Sequence, residues 1–296
     1  MMAELACPNC QTPLAVAGDT ATCPLDGQTY RRVGGVWRLL RPGRETHFAQ
    51  FIQEYETVRR AEGRGDDDPA YYRALPFRDL NGRMPAMWQE RARSFQTLLS
   101  KVTLHPSSLI LDLGAGNGWL SYQLAKRGHV MTAVDLITNS FDGLGVHAMY
   151  DAEFVPVQAE FDHLPLTNEQ MDLTIFNASF HYSTNYAVTL TEVCRVTNGM
   201  VVIMDTPVYH NPASGKQMVA QRETAYQKLY SFPSNAIASE NYLTYKRLDE
   251  LADELNMNWR LFWPIPQWRW TVRRWRSWFR GQREPAQFPL IVGIAL

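Results

Sequence analysis

The stretch LILDLGAGNGWL, running from Leu109 to Leu120, decides the fold. An apolar run closes on Asp112 and Leu113. Gly114, Gly116 and Gly118 follow at alternate positions, and then comes the helical pattern WLSYQLAKRG. Strand, tight turn and helix in that order open a nucleotide-binding α/β unit. Glycine lets the backbone turn sharply and lets a ligand approach it closely. The helix beyond offers unpaired N–H groups. A dinucleotide fingerprint spaces its glycines G-x-G-x-x-G around a pyrophosphate. Here the spacing is G-x-G-x-G, and the carboxylate of Asp112 stands two residues before the first glycine. That charge repels a pyrophosphate and suits a cationic ligand. The next apolar strand, VMTAVDL, carries Asp135 near its end, placed to accept both hydroxyls of a ribose.

LDLGAGNG with Asp135 downstream resembles the class I S-adenosylmethionine-dependent methyltransferases, and the type 11 group among them. QAEFDHLPLTNEQMDLTIFNASFHY is similar to their third and fourth strand region, and the segment from Leu190 to Asp205 to their L-x-E-x-x-R-V-x-x-G-G stretch. Asn198-Gly199 replaces the usual Pro-Gly-Gly turn there. The resemblance covers roughly residues 75 to 205. It implies an α/β fold: a seven-stranded, Rossmann-like sheet with helices on both faces. It also implies S-adenosyl-L-methionine as cofactor, with Asp112 at the amino end and Gly114, Ala115, Gly116 and Asn117 forming the loop. Asp135 and Leu136 would hold the ribose, Glu160 and Phe161 would frame the adenine, and Asn177 would stand beside the methyl group. His181 and Tyr182, in NASFHY, are the candidate catalytic bases. Asp142, His147, Asp205, Tyr209 and His210 are weaker candidates near the same sheet edge.

Strands are expected near 109–113, 130–135, 153–157, 172–177 and 200–205, with helices between them, which gives a parallel sheet. WRLFWPI and QFPLIVGIAL would form a closing antiparallel hairpin, opened by an insertion at 264–285. Residues 75–296 would make up the methyltransferase domain, with 206–245 as a substrate lid. Residues 41–74 form a linker whose helix HFAQFIQEYETVRRA carries Phe48, Phe51, Ile52, Tyr55 and Val58 on one face. That helix is expected to join the two parts and to cover the cofactor.

Residues 1–40 form a separate small β module. Cys7, Cys10 and Cys23, each pair-leading Cys followed by Pro, resemble the knuckles of a zinc ribbon. Asp26 stands where the fourth Cys is expected. A Cys3Asp zinc site, a ligand from His47 instead, and a metal-free hairpin all stay open. Cys194 reads as a core residue of a helix.

The insertion is the second unusual feature. Between Leu255 and Arg283 there is no Asp, Glu or Lys, and the stretch holds seven arginines and six of the chain's nine tryptophans. If helical, Trp268, Val272, Trp275 and Phe279 share a stripe, with Arg269, Arg273, Arg276 and Arg280 beside it. A solvated helix on the sheet edge, an anionic membrane surface and an RNA are the three readings of that pattern.

The bulk numbers bound the answer. The chain has 296 residues, 45% of them hydrophobic, and a net charge of −1. One large domain plus a small one fits that length. The balance of charge gives no global pull towards nucleic acid. The opening MMAELACPNC has neither a charged n-region nor an apolar h-region, so a cytoplasmic protein is expected. The expected activity is methyl transfer to a small-molecule or lipid- or quinone-like acceptor. The alternatives are an RNA base methyltransferase, acting on rRNA or tRNA, and a non-catalytic protein that binds S-adenosylmethionine. Oligomeric state is left open.

Overall fold

The computed structural model describes residues 3–295. Four short strands open the chain: β1 (Ala15–Ala17), β2 (Thr20–Thr22), β3 (Thr29–Val33) and β4 (Val36–Arg38). Three helices follow: α1 (Arg44–Ala61), α2 (Pro69–Ala74) and α3 (Pro85–Lys101). The alternating part then runs β5 (Leu109–Leu113), α4 (Trp119–Ala125), β6 (Val130–Asp135), β7 (Val155–Gln158), β8 (Met171–Asn177), α5 (Tyr186–Val196) and β9 (Thr197–Met204). The last part holds β10 (Val208–Tyr209), α6 (Pro212–Tyr230), β11 (Leu243–Thr244), α7 (Tyr245–Leu255), β12 (Met257–Phe262), α8 (Gln267–Phe279) and β13 (Leu290–Ala295).

The central sheet has the order β1-β2-β3-β4-β7-β6-β5-β8-β9-β13-β12. From β7 to β9 the pairs are parallel, while β13 runs antiparallel to both β9 and β12. β12 and β13 are the expected hairpin, and α8 is the insertion between them. Crossovers bring helices against both faces, so β5, β6 and β8 read as near-continuous apolar runs. Two apolar clusters lie on either side of the sheet. One holds Leu113, Val134, Phe176, Phe180 and Leu190; the other holds Phe95, Ile110, Trp119, Leu120 and Ile175.

The N-terminal strands join this sheet. Trp37 and Arg38 of β4 pair in parallel with Val157 and Gln158 of β7, and Leu5 bridges Leu166. The seven strands from β7 to β12 in that order make up the expected sheet, and four more extend its edge. Cys7, Cys23, Tyr30 and Trp37 accordingly belong to the same apolar cluster as Val157 and Leu164. The edge of β7 is covered, which removes a row of unpaired backbone groups.

Candidate active site

The glycine turn has the backbone its sequence demands. Gly114, Gly116 and Gly118 have φ of 73°, 56° and 77°, and Gly118 caps α4 from the left-handed region. A Cβ at Gly114 would collide with Ser179, whose hydroxyl donates to the Leu113 carbonyl. At Gly118 it would lie 2.7 Å from Cζ of Phe154. These two glycines are therefore needed for packing of the chain on itself as well as for its turn.

A cavity of about 500 Å³ opens at the carboxyl ends of β5, β6, β7 and β8. It falls within the size range of small-molecule sites, about 300–1,000 Å³. Gly114, Asp135, Leu136, Glu160 and Phe161 lie on its wall, so the structure brings these sequence-selected residues together. Asp135 accepts the Gly116 N–H on Oδ2 and the Ile137 N–H on Oδ1, both at 2.8 Å. Those bonds fix the carboxylate while leaving each oxygen further acceptor capacity. Burial raises its pKa, and the backbone donors oppose that shift.

Other expected residues stand elsewhere. Asp112 is wholly buried and absent from the cavity wall. Its Oδ2 accepts the Ser121 hydroxyl at 2.8 Å, tying β5 to α4, and Oδ1 has no partner. Burial pushes its pKa up to about 7. The contact with a ligand's amino end expected of it is replaced by a strap beneath the turn, because the residue precedes the turn and points inward. Ala115 and Gly116 follow the turn, and Gly116 serves Asp135 through its N–H. Asn117 is buried, donating to Asp142 at 3.3 Å and capping the Trp119 N–H. Asn177 accepts from Arg91 at 3.1 Å, and its neighbours Ala178 and Ser179 form the wall instead. Ala178 has φ of 54°, an uncommon backbone conformation for alanine, at the carboxyl end of β8.

Glu160 lies on the wall, but its carboxylate is already engaged. Arg44 donates to Oε2 from Nε at 2.9 Å and from Nη2 at 2.7 Å, and Arg41 reaches Oε1 at 3.2 Å. Phe161 stands edge-on to Phe176 with ring centres 5.6 Å apart. Its ring, Leu136 and the aromatic side of α1 supply the apolar part of the wall.

The two base candidates separate. Tyr182 lies on the wall, 6.2 Å ring to ring from both Phe51 and Tyr55 of α1. His181 is not on the wall; its Nδ1 lies 3.5 Å from the Thr206 hydroxyl and its ring packs on Tyr182 at 4.5 Å. Burial, with Arg222, Arg91 and Arg59 nearby, brings its pKa down to about 3. A ring of such low basicity that does not line the cavity does not fit the role of base expected of it. Among the weaker candidates, Asp205 is held by Ser94 at 2.6 Å and Arg91 at 3.4 Å, behind Asn177.

Helix α1 closes the site. Arg44, His47, Phe48, Phe51 and Tyr55 face the cavity, so three residues of the apolar stripe read from the sequence form its outer wall, while Val58 lines a neighbouring space and Ile52 lies off the wall. The 231–242 segment crosses over it: Ala236, Ile237 and Ala238 line the cavity, and Glu240 and Asn241 donate to the Ser183 and His181 carbonyls at 2.8 Å. Sequence reasoning missed Arg44, whose signal was only a charged loop before a helix. It also missed a second chamber of about 180 Å³ behind Tyr182. Phe51, Tyr55, Tyr182 and Ile237 are shared by both spaces, and Arg59, Arg64 and Arg222 line the smaller one. Glu62 pairs with Arg59 and Arg64 at 3.5 and 2.9 Å. Among the described residues no carboxylate pairs with Arg222; it donates to Asn241 at 2.7 Å, and its buried Nε has no partner.

At the N-terminal edge, the ligand atoms of Cys7, Cys10, Cys23 and Asp26 lie within 4.8 Å of one another. The two halves share one turn: Gln11 N–H bonds to the Cys7 carbonyl at 2.8 Å, and Gly27 N–H to the Cys23 carbonyl at 3.0 Å. Gln11 and Gly27 both have positive φ, 62° and 72°. Asp26 therefore occupies the place in its turn that Cys10 has in the other. Cys10 and Cys23 Sγ are 3.4 Å apart, as are Cys7 Sγ and Asp26 Oδ2. Those spacings suit four ligands around one tetrahedral ion with bonds of about 2.0–2.3 Å. His47 belongs to the other cavity, 4.8 Å from the Phe48 ring, and is no part of this cluster.

The sheet order, the glycine turn and the Asp135 carboxylate at the carboxyl edge make an arrangement similar to that of class I S-adenosylmethionine-dependent methyltransferases. Residues 111–203 match a family model described as "Methyltransferase domain". The chain is similar to malonyl-[acyl-carrier protein] O-methyltransferases. It is 33% identical to that of Buchnera aphidicola over 107 residues, which is 36% of this chain and 42% of that protein. It is 28% identical to that of Serratia marcescens over 112 residues, 38% and 43% of the two chains. The matched part spans less than half the length of these relatives. The YcgJ protein of Bacillus subtilis, a solved structure, shares the fold with a TM-score of 0.50 at 13% identity, covering 69% of this chain and 98% of its own.

Proposed function

We propose that the protein transfers a methyl group from S-adenosylmethionine to a small acidic acceptor, most simply to a carboxylate oxygen. The observation that carries this reading is the arginine-lined chamber next to the main cavity, with which it shares Tyr182. Its lining holds three guanidinium groups; Glu62 pairs with Arg59 and Arg64, and Asp142 reaches Arg59 at 3.7 Å, while Arg222 is free of any carboxylate partner among the described residues. Arginine suits planar, bidentate recognition of a carboxylate. The relatives named above act, by their names, on a malonyl group, which ends in a free carboxylate.

The cavity residues fit the cofactor. Asp135 would take the ribose hydroxyls, the glycine turn would pass close to the amino acid end, and Phe161, Leu136 and the α1 aromatics would enclose the adenine. When bound, the cofactor supplies a methyl group already activated by its sulfonium. What remains for the chain is to orient the acceptor and exclude water. Phe51, Tyr55, Tyr182 and Ile237, which stand between the two spaces, would do both. A carboxylate acceptor carries no proton to remove, which agrees with a neutral His181 away from the wall. Methylation would also neutralise the group that the arginines hold, which weakens product binding. A lipid- or quinone-like body on such an acceptor would find apolar surface in the main cavity.

The N-terminal cluster would hold a structural zinc ion through Cys7, Cys10, Cys23 and Asp26, with Tyr30 Oη 3.5 Å from Cys7 Sγ behind it. Four protein ligands leave no open position for catalysis. All four cysteines are free, which fits action in the reducing cytoplasm. Among the described residues no helix is long and apolar enough to cross a membrane.

The test is a partition of label. The protein is incubated with methyl-tritiated S-adenosylmethionine and a cell extract, and the products are separated into RNA, protein, acidic small-molecule and organic-soluble fractions. Base-labile label in the acidic or carrier-bound fraction is expected, because a methyl ester hydrolyses. Label in RNA would replace this reading with the RNA methyltransferase. No calorimetric binding of S-adenosylmethionine would replace it with a non-catalytic role.

A further inference from the structure

Helix α8 is unlike every other helix in the molecule. None of its residues is buried. Trp268, Trp275, Trp278 and Phe279 are 63%, 57%, 68% and 75% exposed. Large aromatic side chains left in water at that density call for a partner.

The arrangement says which one. At about 100° per residue, Trp268, Val272, Trp275 and Phe279 fall within about 60° of one another around the helix. Trp270 lies on the opposite side, and it is the residue that holds α8 to the body. Its Nε1–H donates to the Pro285 carbonyl at 3.1 Å, and its ring lies 5.6 Å from that of His210. The aromatic stripe therefore points away from the protein. Arg269, Arg273, Arg276 and Arg280 follow one flank of the stripe and Arg274 lies on the other. Among the described residues none of these five is paired with a carboxylate.

We infer that α8 docks the protein in the plane of an anionic lipid surface. Trp268, Val272, Trp275 and Phe279 enter the boundary between headgroups and acyl chains, while Arg274, Arg276 and Arg280 reach the lipid phosphates; Arg269 and Arg273 line the cavity between α8 and the body. The separation of apolar and cationic residues into parallel rows is what a layered interface selects. Single-stranded nucleic acid instead selects a basic groove with aromatic side chains set along it. Here the exposed aromatics Trp268, Trp275 and Phe279 lie outside the cavity of about 260 Å³ under α8, whose wall takes Trp270, Arg269 and Arg273 instead. The docking is independent of the methyl acceptor and of the reaction.

Co-sedimentation of the whole protein with vesicles tests it. With vesicles of phosphatidylcholine and phosphatidylglycerol in about equal parts, most of the protein is expected in the pellet at about 0.1 M salt. With pure phosphatidylcholine, or at about 0.5 M salt, binding should fall at least about tenfold. Tryptophan emission should shift to shorter wavelength on the anionic vesicles only. Trp275→Ser with Phe279→Ser should lose binding at least about tenfold, and so should Arg276→Glu with Arg280→Glu, a second pair that leaves the aromatics in place. Circular dichroism melting should match the parent for both, since neither pair touches buried structure. Absence of binding to anionic vesicles would overturn the inference. So would binding that both variant pairs retain, or tight binding to a single-stranded RNA oligomer without binding to vesicles.

Discussion

Arg44, in the first turn of α1, clasps Glu160 beyond the end of β7 with two bonds to one carboxylate oxygen, at 2.7 and 2.9 Å. This pair joins the helix that closes the cofactor cavity to the sheet edge that forms its floor. Glu160 is buried and Arg44 is about one-third exposed, so the pair sits between a surface bridge and a core one. Removing Arg44 leaves a buried carboxylate with only Arg41, at 3.2 Å, to answer it. Arg44→Ala should therefore cost about 1–3 kcal/mol in denaturant unfolding. Arg41→Ala, which removes a single bond, should cost less. Equal costs would mean that the clasp does not hold α1 in place.

Asp135 offers a direct measure of the cofactor site. Asp135→Ala removes the acceptor for the Gly116 and Ile137 amides and the proposed ribose contacts together. Cofactor affinity in calorimetry should weaken by about 1.5–3 kcal/mol, the range for hydrogen bonds to a charged group. An unchanged affinity would rule out the ribose role.

Arg222 is the sharpest test of the acidic acceptor. Arg222→Ala should raise KM for a carboxylate acceptor by about ten- to a hundredfold, the cost of about 1.5–3 kcal/mol for one charged hydrogen-bonding group. Affinity for S-adenosylmethionine should stay as it is. Arg222→Lys should restore part of the loss, because it returns the charge without the planar fork. A steady-state split into KM and kcat checks this, and an unchanged KM would remove the chamber from acceptor binding.

Asp112 should mark the pH dependence of stability. Its carboxyl has a folded-state pKa of about 7, above its ordinary value of 3.8, and burial is the cause. The native state thus holds a proton that the unfolded state has released. Its contribution is full below about pH 4 and is lost as pH rises through 7. Asp112→Asn keeps an acceptor for Ser121 and carries no charge. Its melting temperature relative to the parent should rise between pH 5 and pH 8. A difference that stays flat with pH would contradict the buried, protonated carboxyl.

The N-terminal cluster predicts about one zinc ion per chain in metal analysis of protein expressed with zinc. Asp26→Cys should retain the metal against a chelator longer than the parent. Cys23→Ser should release it and lower stability, because Cys7 and Cys23 belong to the apolar cluster that also holds Trp37 and Val157. Metal-free protein under those conditions would leave the paired turns as a bare hairpin.

Much of the fold could be read along the chain because local rules produced it. The Leu109–Leu120 turn, Asp135 at the end of its strand and the alternation from β5 to β9 depend on backbone geometry and apolar period. Both are written in neighbouring residues. Among the wall positions Gly114 and Asp135 followed from the same local logic, while Leu136, Glu160 and Phe161 came only from the resemblance. The aromatic stripe of α1 and the row pattern of α8 were equally visible as periodicity.

What the sequence could not decide was direction and partnership. Only packing turned Asp112 inward to Ser121, set His181 against Thr206 rather than towards the cavity, and gave Glu160 to Arg44 across 116 residues of chain. Only the tertiary structure brought Arg59 and Arg64 beside Arg222, and laid β4 against β7 so that the Cys-rich edge became part of the main sheet. Local propensity fixes which element a residue joins. Which way its side chain points, and which charge it meets there, is settled by burial and long-range contacts, and those exist only once the whole chain has folded.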